Sequence, residues 1–128
     1  MTAPLSPQLH ALLEAKLDSF EKLEVVLTLR AAGRPMSLTE LARELQVGTE
    51  ALQRVVDGVV ASGIVASDDD LFALRSGSWD VLVEEAAHLH QHHPQQLMRA
   101  FTRIGMEKIR GMAARSFADA FRLRKKGD

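Results

Sequence analysis

The chain has 128 residues, 46% of them apolar and 26% charged, with a formal net charge of −1 and no cysteine. That length and apolar share suit one compact domain and exclude a disordered chain. Disulfide and thiolate chemistry are excluded, and the uninterrupted apolar runs, such as Val25-Val26-Leu27, fall far short of the roughly 20 residues a membrane span needs.

Met1-Thr2-Ala3-Pro4-Leu5-Ser6-Pro7 has no basic stretch followed by an apolar one, so no secretory leader is read there and a cytoplasmic location is expected. Ser6 and Pro7 form a helix start, with Ser6 as N-cap and Pro7 at the first helical position. Leu9, Leu12, Leu13, Leu17, Phe20, Leu23, Val26 and Leu27 follow at spacings of three and four. They predict one long helix ended by Gly33 and Pro35. Ser37-Leu38-Thr39-Glu40 has the form of a capping box. It opens a short helix through Leu45, and Gln46-Val47-Gly48 is a turn of the length that joins two crossed helices. The next helix is predicted over Thr49–Ser62, with Leu52, Val55, Val56, Val59 and Val60 inward. Beyond Gly63 the period changes. Ile64–Ser67 and Leu71–Leu74 are short apolar runs around Asp68-Asp69-Asp70, a hairpin pattern. Ser78 is placed as the cap of a helix running to about His93. Pro94 opens another, lined by Leu97, Phe101, Ile104, Ile109 and Met112, with Gly105 and Gly111 as weak points.

This order predicts a mainly α fold of α+β winged-helix type. Residues 1–75 form a winged helix-turn-helix core with a long N-terminal helix. Residues 76–128 form a C-terminal extension of two helices, packed on the core or serving as a dimer seam.

Charge is unevenly spread. Residues 36–74 carry two basic against seven acidic groups, net −5, whereas residues 95–128 carry nine basic against three acidic, net +6. The acidic middle and basic end give different parts of the surface opposite potentials.

Gly33-Arg34-Pro35-Met36-Ser37-Leu38-Thr39-Glu40-Leu41-Ala42-Arg43-Glu44-Leu45, then Val47, then Val59-Val60-Ala61-Ser62-Gly63-Ile64-Val65, resemble the winged helix-turn-helix of the IclR and MarR families of bacterial regulators. The resemblance covers residues 33–67; no family is recognised in residues 76–128. It implies a transcription regulator that lays the helix 49–62 in the major groove of duplex DNA. The candidate DNA contacts are Arg43, Thr49, Gln53 and Arg54, since Gln suits adenine and Arg suits guanine or phosphate. Charge opposes this. The helix sets one Arg against Glu50 and Asp57, and the wing tip is three consecutive carboxylates, whereas DNA contact depends on cations that displace counterions from phosphate. The alternative is a winged-helix protein-interaction or adaptor module that does not bind DNA directly. Duplex DNA and a protein partner both stay open, a homodimer is expected, and no membrane contact is.

Phe101, Ile104, Ile109, Met112, Phe117 and Phe121 are candidates for a partner or dimer seam; the same stripe also fits an intramolecular core. His88 and His92, one turn apart, can reach one metal ion, but no carboxylate or Cys follows at a useful spacing, so they read first as an exposed polar helix end. No nucleophile motif or phosphate loop is present, so an enzyme is not expected, nor is a cofactor.

Overall fold

The computed structural model describes residues 5–126, with side chains through Arg115 and Ser116 and at Ala118. Ser6 starts the first helix, α1 (Pro7–Lys16), by accepting a hydrogen bond from the Leu9 amide, while Pro7 fills a position that needs no donor. The helix stops at Leu17, whose amide donates to the carbonyls of Leu12 and Leu13. Ser19 then caps a second helix, α2 (Phe20–Ala32), accepting from the Lys22 amide at 3.3 Å. The single long helix expected between Ser6 and Gly33 is therefore two. Leu17 at the break is fully buried, and Leu9, Leu13, Leu23 and Val26 on either side enter the same core. The apolar spacing passes through the break unchanged, so periodicity alone does not register it. Gly33 ends α2 in the left-handed conformation, φ 64°.

The sequence pattern gives no sign of a two-residue strand, β1 (Met36–Ser37), which leads directly into α3 (Leu38–Leu45). Both bonds of the expected capping box form. The Glu40 amide donates to Ser37 Oγ at 3.1 Å, and the Ser37 amide donates to Glu40 Oε1 at 3.2 Å. Gln46 turns the chain with φ 57°, and α4 (Thr49–Ala61) follows after Gly48. Leu52, Val56 and Val59 are its buried face. Strands β2 (Val65–Asp68) and β3 (Leu71–Leu74) make the predicted hairpin. Asp69 and Asp70 both have positive φ, 49° and 61°, as a two-residue turn of the primed type requires. β1 adds to the far edge of β3, with Met36 opposite Phe72, giving an antiparallel sheet in the order β1-β3-β2.

Ser78 does not cap the next helix. α5 (Asp80–His92) begins two residues later without a side-chain cap at the preceding Trp79. The local bonds run backwards instead. The Gly77 amide donates to Asp80 Oδ1 at 3.1 Å, and Trp79 Nε1 donates to the Arg75 carbonyl at 3.0 Å. Pro94 opens α6 (Pro94–Lys126), a single helix of 33 residues. Gly105 and Gly111 do not interrupt it, because one glycine costs a helix only about 1 kcal/mol relative to alanine.

The molecule is thus mainly helical with a small three-stranded antiparallel sheet, an α+β arrangement. α5 packs against α1, α2 and α6. Ser6 fastens this layer, its amide and hydroxyl donating to the two carboxylate oxygens of Glu85 at 3.0 and 2.7 Å. Leu97, Ala100, Phe101 and Ile104 bring the first part of α6 into the same core as α1 and α2. Among the described residues, no helix is long and apolar enough to cross a membrane.

Candidate functional site

Burial of Leu52, Val56 and Val59 forces the other face of α4 outward. Thr49, Glu50, Gln53, Arg54 and Asp57 are all exposed, as is Arg43 on α3. The four residues expected to meet DNA are therefore accessible, but they are not equally available. Gln53 Nε2 donates to Asp57 Oδ1 at 2.7 Å, which occupies the amide that would read adenine. Arg43 and Arg54 have no ion pair among the described residues. The hairpin packs against α4 through β2. Its tip, Ser67 through Leu71, is exposed, so three carboxylates point into solvent beside a helix that carries two more.

Lys16, Lys22 and Arg34, on α1, on α2 and just after α2, are engaged elsewhere. Lys16 Nζ donates to the Ser62 carbonyl at 2.8 Å, neutralising the C-terminal end of α4. Lys22 crosses α4 at Gly58, where an added Cβ would lie 2.8 Å from Lys22 Cε, and its ammonium donates to Asp18 Oδ1 at 2.7 Å. Arg34 pairs with Glu40 at 2.8 Å. That guanidinium, together with the Ser37 amide, holds the Glu40 carboxyl below its ordinary range. The α4 and hairpin surface is left with a negative balance.

The candidate seam divides. Phe101 and Ile104 are buried in the chain's own core, Phe101 meeting Phe20 edge to face at 5.9 Å between ring centroids. These two are thus unavailable to a second molecule. Ile109 and Met112 are 60% and 61% exposed, and Met98 and Met106 lie open on the same helix. The side chains of Phe117 and Phe121 lie outside the described ones. The sequence stripe merges these groups because a helix that is half docked keeps apolar residues on more than one face.

His88 and His92 come together, with ring centroids 4.5 Å apart, and His93 lies farther from His88 at 6.4 Å. They do not converge with a third donor within ligand reach among the described residues. A different trio does converge: His10, Glu14 and Glu107. The His10–Glu14 spacing of one helical turn was a signal in the sequence, whereas Glu107 reaches them only through the packing of α6 on α1. Comparison with protein-family models, with curated proteins and with solved structures finds no match to this chain.

Proposed function

We propose that residues 33–74 form a winged helix-turn-helix used as a protein-interaction module, whose α4 and hairpin tip take a partner with a basic surface. The observation that carries this reading is the charge of the exposed residues. Glu50, Asp57, Asp68, Asp69 and Asp70 stand against Arg54 alone on α4 and the hairpin. A phosphate backbone would be repelled by such a tip, while Lys- or Arg-rich protein would be attracted to it. The chain pairs with a second copy through the open apolar residues of α6, Ile109 and Met112 among them, because contiguous exposed apolar surface on a helix favours association. The test is titration with random duplex DNA across salt concentrations. Binding that falls with salt and is lost in the double variant Arg43→Ala, Arg54→Ala would overturn the proposal; no binding, or binding that this variant leaves unchanged because it belongs to the basic α6, is expected.

A second reading is a transcription regulator that grips duplex DNA directly through Arg43, Thr49, Gln53 and Arg54. Its support is that both arginines are exposed and without ion pairs among the described residues, and that the element order suits major-groove docking. The same titration decides between the two.

A further inference from the structure

We propose that His10, Glu14 and Glu107 form a binding site for a divalent metal ion of zinc type that ties α6 to α1. His10 and Glu14 are one turn apart on α1 and so share a face. Their positions are fixed by the fully buried Leu9 and Leu13 beside them. Glu107 comes from α6, three residues beyond Ile104, which is also fully buried. Packing of the two helices brings one donor atom from each of the three side chains within 4.8 Å of the others. His10 Nε2 lies 3.7 Å from Glu14 Oε2.

Three donors bound tetrahedrally to one zinc ion lie about 3.4 Å apart, given metal–ligand distances near 2.1 Å. The trio therefore needs its donor atoms to approach by no more than about 1.5 Å to close around an ion. Two carboxylates held together normally carry cationic partners, yet neither Glu14 nor Glu107 has a lysine or arginine within ion-pair distance among the described residues. Lys108, the nearest lysine in sequence to Glu107, is instead turned onto Asp18. Arg103, one turn before Glu107, lines grooves with His10 and with Glu107 but pairs with neither carboxylate, so both carboxylates are open to a divalent cation. The imidazole selects zinc-like ions over magnesium or calcium, which prefer all-oxygen sites. Three protein ligands leave a coordination position for water or a further donor. The ion would sit where α6 leaves the core, since the described side chains from Met106 to Ser116 are exposed. It would therefore fix the direction in which the rest of that helix projects.

The test is titration of the full chain with zinc chloride in competition with a chromophoric chelator, paired with thermal melting. Expected are one zinc per chain and a melting temperature that rises with zinc. Glu107→Gln and His10→Ala should each weaken binding on the order of 10-fold or more, as loss of even a supporting partner does in metal sites. The double variant His88→Ala, His92→Ala should bind as the parent does. All three variants alter surface positions, and melting without metal verifies that each is folded. Absence of binding at millimolar zinc overturns the proposal. So does binding that survives Glu107→Gln and His10→Ala, or that disappears with His88 and His92.

Discussion

Lys108 on α6 reaches Asp18 at the break between α1 and α2, a contact between residues 90 apart in the chain. Lys22 reaches the other carboxylate oxygen from α2 at 2.7 Å. One carboxylate thus joins the three helices at a point where helix periodicity marks no break. Burial of Asp18 disfavours its charge, but the hydrogen bonds from Lys108 and Lys22, with their positive charges, outweigh this and hold the carboxyl below its ordinary value.

A depressed carboxyl pKa ties stability to pH. The folded state holds the Asp18 proton less readily than the unfolded chain, so its contribution is full above the unfolded value near 3.9 and is lost as pH falls through the lower folded value. Asp18→Asn should cost about 1 kcal/mol at pH 7, the size expected of a partly exposed ion pair. The gap between variant and parent should shrink below about pH 4. Urea denaturation across pH measures it, and a gap that is constant down to pH 2 would contradict the account.

Gly58 tests the same junction from the other side. Alanine there gains about 1 kcal/mol of helix propensity. Its Cβ, however, would lie 2.8 Å from Lys22 Cε, and the flexible side chain must move away from Asp18. The two effects oppose, so Gly58→Ala should change stability by less than about 0.5 kcal/mol in the parent. In the Asp18→Asn background the same substitution should be more stabilising, because Lys22 then has only a neutral acceptor to lose. Equal effects in both backgrounds would separate Lys22 from the Asp18 contact.

The sequence showed most of this fold through local chemistry. The Ser37–Glu40 capping box, the Ser6-Pro7 start and the Gly33 stop each depend on residues within one turn, and all three form as expected. What it hid depends on distance or on competing caps. Ser19 was a possible N-cap inside an unbroken apolar stripe, and the stripe masked it. β1 exists because β3 offers it an edge, which two residues of sequence do not show. At the candidate site, exposure of Thr49, Gln53 and Arg54 follows directly from the inward positions of Leu52 and Val56 on α4, and that of Arg43 from the burial of Leu41 and Ala42 on α3. The Gln53–Asp57 bond was within reach of the same helical spacing. The approach of Glu107 to His10 was not, because it depends on how α6 docks.

The division of α6 into a docked and an open part predicts unequal mutational costs. Ile104→Ala removes a fully buried side chain and should destabilise the protein by about 2–5 kcal/mol. Met112→Ala, at a position 61% exposed, should change the stability of a single molecule by no more than about 0.5 kcal/mol. Ile109→Glu should lower the apparent mass in light scattering if Ile109 belongs to a dimer contact. Denaturation at two protein concentrations separates the two effects. A large cost for Met112→Ala that does not depend on concentration would place that residue in the chain's own core.

The hairpin tip gives the sharpest contrast between stability and binding. Asp69 and Asp70 occupy two left-handed positions for which Asn followed by Gly is the preferred pair. Asp69→Asn with Asp70→Gly keeps the turn, relieves strain at Asp70 and removes two of three adjacent negative charges. The variant should be more stable by about 0.5–1 kcal/mol, measured by urea denaturation, the gain being limited by the greater freedom glycine gives the unfolded chain. It also tests how the acidic tip acts on DNA. Glu50 and Asp57 still outnumber Arg54 on the exposed face of α4, so neutralising the tip alone should not raise the affinity for random duplex DNA at low salt. If the variant instead binds duplex DNA with a steep salt slope, and Arg43→Ala, Arg54→Ala in the same background abolishes that binding, these two arginines make the phosphate contact. The carboxylates of the tip would then be a brake on DNA binding, and the DNA-binding reading would displace the protein-interaction one.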